Sequence, residues 1–431
     1  MNDAVSTATL GIADNHFLSD DGRSAPTRAD CLALSSRLDA LRERIRRWRD
    51  GTEPSFLALP FADPGPIASR GQDLARKFRH TIVLGIGGSS LGGEMLIRVL
   101  GSKASHTVSF YDNLDPTTLF DSKTVNWTET ALLVISKSGN TVETLGQFLA
   151  ALPELEVRLG AKIKQHVFAI TENRDGALAK LAAQLGIEVL PHPPVGGRYS
   201  VLSVVGLLPA AIAGIDMVQL LNGGRAMAKR VSESDMSSNP AFMQGAAQYL
   251  HAERGRTLSA QLVYADRLAP VTRWFAQLWA ESLGKRDAAG RSLGLTPLAA
   301  RGVTDQHSQL QLYLDGPDDK QFTFLVDPTL KQQGPRVSER ARSIDAVKPL
   351  AGHTLGEMFY AEFEATRATL TRRGRPNRSF SLTPNAYALG ELIVLLEMET
   401  VVVAELLGVD PFDQPAVEEG KRLAWQYLGR S

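Results

Sequence analysis

The chain has 431 residues, of which 43% are hydrophobic, and its 47 Lys and Arg residues balance its 47 Asp and Glu residues. This length is sufficient for two domains, and the zero net charge provides no field that attracts nucleic acid. The single Cys31 excludes an internal disulfide and a thiolate metal cluster, and it is expected to be a small buried residue. No basic start followed by an apolar block is seen in the first thirty residues, so no signal peptide is expected and the protein is predicted to be cytoplasmic.

The first predicted element is an amphipathic helix over residues 30 to 50, where apolar residues recur at helical spacing among many arginines. From His80 the pattern changes to short β-rich runs that end in Gly or polar residues, each followed by a helical stretch. These runs are "HTIVLGIGGSS", "TVSFYDN", "TALLVISKSGN" and "HVFAITEN". Alternating strands and helices predict parallel pairing with crossover connections, and therefore a doubly wound sheet. The most apolar run, residues 201–215, contains Pro209 and is too short to span a membrane, which predicts a buried core helix.

A second alternating unit is predicted after the polar stretch at residues 223–240. Its expected strands lie in "LSAQLVYAD", "GLTPLAARG", "QLQLYLDG" and "FTFLVD", and a helical pattern dominates from Thr354 to the end. The predicted fold class is α/β, with two doubly wound, mostly parallel sheets and helical N- and C-terminal extensions. The predicted limits are 1–75 for an N-terminal helical segment, 76–230 and 231–400 for the two α/β domains, and 401–431 for a C-terminal helical arm.

Two loops that follow predicted strands are candidates for binding a phosphate, because ligands of open α/β sheets lie beyond the carboxyl ends of the strands. In the first loop, residues 85–92, missing side chains allow backbone N–H groups to approach an anion, and a helix begins just behind. The second loop, residues 136–141, offers three hydroxyl groups, one ammonium group and the start of the next helix. Each loop also has an ordinary alternative, a tight turn for the first and a plain helix cap at Thr141 for the second.

The first loop leaves a nicotinamide-dependent dehydrogenase open as an alternative. Gly85 and Gly87 fit the dinucleotide fingerprint G-x-G-x-x-G, but Ser90 takes the place of its last glycine. Asp112, at the end of the next predicted strand, can imitate the acid that binds a ribose. The P-loop pattern fails because no Lys follows the glycines.

Glu281 lies in the sequence "LWAESLGK", at helical spacing from Trp274, Gln277 and Leu278. A carboxylate on a mostly apolar helix face is partly removed from water, which favours its use as a general base near neutral pH. The alternative interpretation is an exposed ion pair with Lys285, one helical turn later.

Three further side chains can supply acid and charge-stabilising groups. His307 lies in a polar connection before the alternating Leu310, Leu312 and Leu314, which is interpreted as a strand, and a neutral imidazole there can transfer a proton. Arg198 follows two glycines, and its guanidinium can stabilise negative charge on an oxygen. Lys421 follows Gly420 near a helix. Structural histidines and surface lysines are common, so neither His307 nor Lys421 identifies a site alone.

Taken together, these segments resemble the phosphoglucose isomerase family. The resemblance runs in order from about His80 to the C-terminus through "GIGGSSLGG", "SKSGNTVET", "GGRYSVLSVVG", "ESLGK", "DQHSQL", "GRPN" and "DQPAVEEGK". It implies two sugar-isomerase domains and the reversible interconversion of glucose 6-phosphate and fructose 6-phosphate, a step of glycolysis and gluconeogenesis. The implied route is proton transfer between C2 and C1 through a cis-enediol intermediate, with no metal and no organic cofactor.

The resemblance also assigns roles to individual residues. It implies that Glu281 is the base, that Arg198 steadies the enediolate, and that His307 and Lys421 act at the ring oxygen. The implied substrate-binding residues are Gly88, Ser89, Ser136, Lys137, Ser138, Thr141, Gln277 and Gln414. The family's usual state is a homodimer in which the residue equivalent to His307 reaches the neighbouring site, and neither nucleic acid nor a membrane is an expected partner. Asn140 departs from the family pattern, which often has Thr at that position.

A non-catalytic sugar-phosphate sensor with the same domains is a third hypothesis. Such a protein can keep the loop at 136–141 without needing Glu281, and it often carries a basic DNA-binding segment. The balanced charge and the complete set of catalytic candidates argue against it.

Overall fold

The computed structural model describes residues 10–53, 55–101 and 106–429. The strands are β1 Gly11–His16, β2 His80–Leu84, β3 Thr107–Tyr111, β4 Thr130–Ile135, β5 Val167–Thr171, β6 Glu188–Pro191, β7 Leu258–Tyr264, β8 Lys285–Arg286, β9 Ser292–Leu293, β10 Thr296–Arg301, β11 Lys320–Val326 and β12 Asn377–Ser381. The α-helices are α1 Arg28–Ala33, α2 Asp39–Arg49, α3 Gly65–Lys77, α4 Leu91–Leu100, α5 Val142–Leu159, α6 Ala177–Leu185, α7 Val204–Ile212, α8 Met217–Glu233, α9 Pro240–Glu253, α10 Ala269–Leu283, α11 Leu310–Asp315, α12 Leu355–Arg372, α13 Ala386–Leu407 and α14 Glu418–Tyr427.

The chain divides into two compact units. The first unit is Glu43–Ala228 with Asp410–Ser431, and the second unit is the preceding segment up to Arg42 with Lys229–Val409. Each unit contains one five-stranded sheet. The mixed α/β class with mostly parallel sheets is therefore confirmed, whereas the predicted domain limits stay a prediction.

The sheet of the first unit is parallel throughout, with the strand order β3-β2-β4-β5-β6. Alternate side chains of β4 enter two separate apolar clusters: Leu132 and Val134 join Trp127 on one face, and Leu133 and Ile135 lie on the other face. Both faces are covered, which explains why this strand is apolar at every position after the first. The buried helix α7, with Pro209 inside it, confirms the core helix predicted at residues 201–215.

The sheet of the second unit has the order β1-β12-β11-β7-β10, with β1 antiparallel at the edge and the remaining pairs parallel. One face carries apolar side chains, among them Leu262, Tyr264 and Phe324. The other face carries buried polar groups, among them Thr323 and Arg378. The 22-residue helix α13 confirms the long helix predicted near the C-terminus.

One prediction of local structure was wrong, and two segments predicted as helical also contain strands. The run "QLQLYLDG" forms the helix α11 rather than a strand, because Leu310, Tyr313 and Leu314 share one helical face toward the core while Leu312 is 54% exposed. Helices dominate the segment after Thr354, as predicted, but it also contains the five-residue strand β12. The N-terminal segment contains the helices α1 and α2, but it also contains the strand β1, whose pairing partner β12 lies more than 360 residues away.

Two further expectations concern single features. Cys31 is fully buried in α1, as predicted, and burial raises the pKa of its thiol to about 12. Within the part of the chain that the structure describes, no helix combines the length and the apolar character needed to cross a membrane.

Candidate active site

The two candidate phosphate loops begin side by side in the first unit. The first loop follows β2 and leads into α4, and the second follows β4 and leads into α5. Leu84 at the end of β2 pairs with Val134 near the end of β4. Because β3 lies on one side of β2 and β4 on the other, the loops leave the sheet at a topological switch point, which is where open α/β sheets bind ligands.

The second loop is closed into a turn by interactions between its own hydroxyl and backbone amide groups. The Ser136 and Thr141 hydroxyl oxygens lie 2.8 Å apart, and the Gly139 N–H donates to Ser136 Oγ over 3.1 Å. Gly139 has a φ of +66°, a conformation that favours glycine. Asn140, which departs from the family pattern, has a different task, because its Oδ1 accepts from the Ala177 N–H (3.0 Å) at the start of α6.

The end of β5 and the turn after it form hydrogen bonds with this second loop. The Lys137 carbonyl accepts hydrogen bonds from the Glu172 N–H (3.2 Å) and from the Thr171 hydroxyl (3.2 Å), and the Lys137 ammonium lies 3.5 Å from the Glu172 carboxylate. His192 lies buried close by, and burial lowers the pKa of its imidazole, an effect that the nearby Lys137 charge increases and a hydrogen bond with the Pro193 carbonyl opposes. Glu172 and His192 were not predicted, since no local sequence pattern marks them.

The first loop contacts the turn that carries Arg198. A Cβ atom added at Gly88 would overlap the carbonyl group of Gly197 and would lie 2.7 Å from the amide nitrogen of Arg198. Real side chains do not approach a backbone this closely, so a glycine is required here. The absence of a side chain at position 88 therefore brings the first loop against the backbone of Arg198.

The Gly88→Ala variant is expected to lower kcat/KM about 100-fold, because the added methyl group must push the Gly197–Arg198 backbone away by roughly 1 Å. Steady-state kinetics with fructose 6-phosphate measures the effect. Gly146→Ala is the matched control, since Gly146 lies in α5 and its new Cβ would meet only a Leu114 methyl group at 4.0 Å. Equal activity of the two variants would show that activity does not depend on the close approach of Gly88 to the Gly197–Arg198 backbone.

Arg198 is buried and holds the chain segment that carries Gln414. Its Nη1 donates to Gln414 Oε1 over 2.8 Å, and its Nη2 donates to the carbonyl oxygens of Pro411 and, over 3.0 Å, of Asp413. The same segment is anchored by Phe412, whose ring centroid lies 5.2 Å from that of Tyr199. The guanidinium thus fixes one predicted ligand-binding residue, while the backbone of the same arginine contacts the first loop.

Lys421 lies on the exposed helix α14 of the same unit. Its Nζ donates to Glu418 Oε1 over 2.6 Å, three residues earlier in that helix. An exposed pair of this kind contributes less than about 1 kcal/mol, so substrate can replace it at little cost.

In the second unit, α10 carries both Gln277 and Glu281. Trp274 and Leu278 of this helix are buried, and Glu281 is half-buried. The Gln277 Nε2 donates to Glu281 Oε1 over 3.2 Å. One helical turn therefore separates a carboxylate from an amide that orients it, with large apolar groups on the same face.

His307 is exposed and ends a short 3₁₀ turn, residues Thr304–His307, just after β10. Asp305 holds this turn together, because its carboxylate accepts from the Arg301 N–H (2.6 Å) and from the Ser308 hydroxyl (2.8 Å). Burial alone raises the pKa of Asp305, but these hydrogen bonds outweigh it and lower that pKa below its ordinary value. No role was predicted for Asp305 and Gln306, because the residues before His307 vary within the family that the sequence resembles.

Some of the predicted residues are brought together within a unit and others are not. The first unit joins Gly88, Arg198 and Gln414, and separately Ser136 and Thr141. The second unit joins Gln277 and Glu281. His307 lies apart from this pair: the loop that bears it leaves the carboxyl edge of the sheet, whereas α10 starts at that edge and runs back toward the opposite one.

Both sheets place the protein among the open α/β proteins that bind ligands beyond the ends of their strands. Residues 69–318 match the phosphoglucose isomerase family. A glucose-6-phosphate isomerase from Carboxydothermus hydrogenoformans is 38% identical, over 92% of this chain and 89% of the relative's own length. The chain belongs to the phosphoglucose isomerase family.

Solved structures share this fold. A hypothetical protein from Thermus thermophilus superposes with a TM-score of 0.86 at 30% identity, covering 98% of this chain and 100% of that chain. A glucose-6-phosphate isomerase from Chlamydia trachomatis superposes with a TM-score of 0.82 at 20% identity, covering 97% of this chain and 88% of that chain. At that low identity the second likeness shows a common fold alone.

Metal binding was predicted to be absent. Across residues 10–53, 55–101 and 106–429, no group of three or more His, Cys, Asp or Glu side chains is arranged to hold a metal ion. The expectation that the reaction needs neither metal nor cofactor stays a prediction.

Proposed function

We propose that this protein interconverts glucose 6-phosphate and fructose 6-phosphate by proton transfer between C2 and C1. Two of its relatives, 38% and 40% identical, are named glucose-6-phosphate isomerase. The observation that carries this proposal is the family match over residues 69–318, which includes the half-buried Glu281. The reaction is a step shared by glycolysis and gluconeogenesis.

Proton transfer beside a carbonyl group needs a base, a stabiliser of the developing negative charge and a clamp at the far end of the substrate. In the proposed mechanism Glu281 removes the proton from C2 and returns it to C1 through a cis-enediol intermediate. Arg198 stabilises the enediolate oxygen. The apolar neighbours of Glu281 and its hydrogen bond from Gln277 support the role of base.

The clamp is assigned to the two loops of the first unit. The hydroxyl groups of Ser136, Ser138 and Thr141, the Lys137 ammonium and the N–H groups at the start of α5 suit a phosphate dianion. Gly88 and Ser89 supply backbone groups from the first loop, and Gln277 and Gln414 contact the sugar. Binding energy from the phosphate then holds the reacting carbons in place, which lowers the barrier at C2.

The ring form of the sugar must open before the proton can move. His307 and Lys421 are proposed to act at the ring oxygen, where a neutral imidazole and an ammonium group can exchange a proton. Lys421 is exposed and its ammonium group is held by a weak surface pair with Glu418, which supports its availability to an incoming ligand.

Exchange of the C2 proton with solvent tests the proposed reaction. In D2O, purified protein is expected to incorporate deuterium at C2 of glucose 6-phosphate, visible as loss of the C2 proton signal by NMR, and to form fructose 6-phosphate in a coupled assay. A dehydrogenase would instead bind NADH, and a sensor would bind sugar phosphate without either exchange or turnover. Absence of both exchange and fructose 6-phosphate formation under conditions where glucose 6-phosphate binds would exclude the isomerase.

The protein is proposed to act as a homodimer in which His307 completes the partner's site. Glu281 lies about 18 Å along α10 from the start of this helix at Ala269. That start lies at the carboxyl edge of the sheet, where the His307 turn also lies. This separation between Glu281 and His307 within one copy supports an arrangement in which the two residues belong to two different active sites of the dimer.

Mixed dimers test this arrangement. A Glu281→Gln copy and a His307→Ala copy, each nearly inactive alone, are expected to recover about a quarter of wild-type activity after complete subunit exchange. Half of the dimers are then mixed, and one of the two sites in each mixed dimer receives both intact residues. If activity does not rise on mixing while mass measurement shows exchanged dimers, the two residues serve the same copy's site and the proposed arrangement is wrong.

A further inference from the structure

The turn that carries His307 is anchored on one buried side chain, Tyr264. This tyrosine ends β7, is 1% exposed, and its ring packs against Phe324, Phe359 and Phe363 at centroid distances of 5.9, 5.7 and 5.3 Å. Three aromatic neighbours from a strand and a helix fix the ring direction. The Tyr264 side chain is therefore held in one orientation at the carboxyl edge of the sheet.

Two residues of the segment that bears His307, Gly302 and Gln306, contact Tyr264. Gly302, two residues before the turn, lies so close that an added Cβ atom would overlap the Tyr264 ring. Gln306, directly before His307, donates from Nε2 to the Tyr264 hydroxyl over 2.6 Å. The Gln306 amide also reaches the Glu362 carbonyl oxygen (3.1 Å) and the Thr366 hydroxyl, both on α12.

The exposure of His307 makes this anchoring necessary. An exposed imidazole at the end of a short turn is held in place by the backbone next to it rather than by packing around its own ring. Asp305 closes the turn from inside, whereas Gln306 ties it to the sheet. Because the neighbouring Gln306 side chain is bonded to Tyr264, the movement of the His307 backbone is restricted.

We propose that Tyr264, acting through Gln306, is the positioning residue that holds His307 where it opens the sugar ring, an assignment that rests on the proposed function of His307. Tyr264 does not touch the substrate in this proposal. Loss of its hydroxyl removes one of the hydrogen bonds that hold the Gln306 amide and so loosens the end of the turn that bears the imidazole, while the ring and its packing against Gly302 remain.

The test compares wild type with Tyr264→Phe, His307→Ala and the double variant. Ring opening is followed by NMR as exchange between the anomers of glucose 6-phosphate, and kcat and KM are measured in the coupled assay. Tyr264→Phe is expected to lower the rate of ring opening about three- to tenfold, with KM little changed, because one hydrogen bond to the turn is lost. The double variant is expected to be no slower than His307→Ala, since the hydroxyl then has no imidazole to position.

Two controls separate positioning from a general loss of structure. Gln306→Leu removes the same hydrogen bond together with those to the Glu362 carbonyl oxygen and the Thr366 hydroxyl, and it is expected to slow ring opening at least as much as Tyr264→Phe. Tyr249→Phe removes a comparable tyrosine hydroxyl in α9, where it accepts from Arg37 over 3.1 Å, and is expected to leave ring opening unchanged.

The outcomes distinguish this inference from the proposed function itself. If His307→Ala slows ring opening but Tyr264→Phe does not, or if the two effects multiply in the double variant, Tyr264 does not position His307 and only the inference fails. If His307→Ala leaves ring opening at the wild-type rate, the proposed role of the histidine fails together with the inference.

Discussion

The Glu281→Gln variant is expected to keep its affinity for sugar phosphate and to lose most of its turnover, with kcat lowered about 10²- to 10⁴-fold. Glutamine has nearly the size of glutamate, and its Oε1 can accept the same hydrogen bond from Gln277. An amide cannot take up the C2 proton, so the chemical step is lost while the binding groups stay in place. Coupled kinetics and titration with fructose 6-phosphate measure turnover and binding separately.

Glu364→Gln is the matched control for this experiment. Glu364 is also a partly buried glutamate on a helix of the second unit, and it pairs with Arg367 three residues later over 2.7 Å. Its replacement changes the charge by the same amount but is expected to leave kcat within about twofold, since its pair is worth less than about 1 kcal/mol. A Glu281→Gln protein with wild-type kcat, or a Glu364→Gln protein that is equally slow, would refute the assignment of Glu281 as the base.

The first loop illustrates why a short pattern cannot decide function. Gly85, Gly87 and Asp112 suggested a dinucleotide site, yet the chain belongs to the phosphoglucose isomerase family. In the structure Gly88 contacts the backbone of Gly197 and Arg198. The lack of a side chain at this glycine therefore allows the turn that carries Arg198 to lie against the first loop. A loop without side chains can approach either a dinucleotide or another segment of the protein, and only the group that contacts the loop in the folded structure distinguishes the two.

The first sheet was predictable because each of its faces is apolar. β4 is buried at every position, so its sequence is a continuous hydrophobic run that periodicity analysis can detect. The loops after β2 and β4 followed from the same pattern, since strand ends are marked by Gly and Ser. The positions of the phosphate-loop candidates could thus be inferred without any tertiary information.

The second sheet was harder to predict because one of its faces is buried and polar. Thr323 and Arg378 lie inside the unit, and an alternating polar position normally indicates a solvent-exposed strand face. β12 was missed for this reason, and β1 was missed because its pairing partner is remote in the sequence. Likewise, the contacts of Arg198 with the segment that carries Gln414 join residues 216 positions apart, which no local pattern reveals.

That buried polar face is centred on the ion pair between Arg378 and Glu399. The two side chains are fully buried with 2.7 Å between Nη2 and Oε1. Arg378 also donates from Nε to the Thr323 hydroxyl and from Nη1 to Gln244 Oε1, each over 2.9 Å, and Gln248 donates to Glu399. The guanidinium carbon lies 4.6 Å from the centre of the Phe380 ring.

Glu399→Gln is expected to lower the free energy of unfolding by about 3–5 kcal/mol, because it leaves the Arg378 charge buried without its counter-ion. Urea unfolding followed by tryptophan fluorescence measures this loss, and Glu364→Gln, with its partly exposed pair, should cost less than about 1 kcal/mol. The double variant Arg378→Met, Glu399→Leu removes both charges at similar volume and is expected to be more stable than Glu399→Gln alone. A double variant less stable than the single one would mean that the hydrogen bonds of Arg378 with Thr323 and Gln244, rather than the paired charge, hold this face of the sheet together.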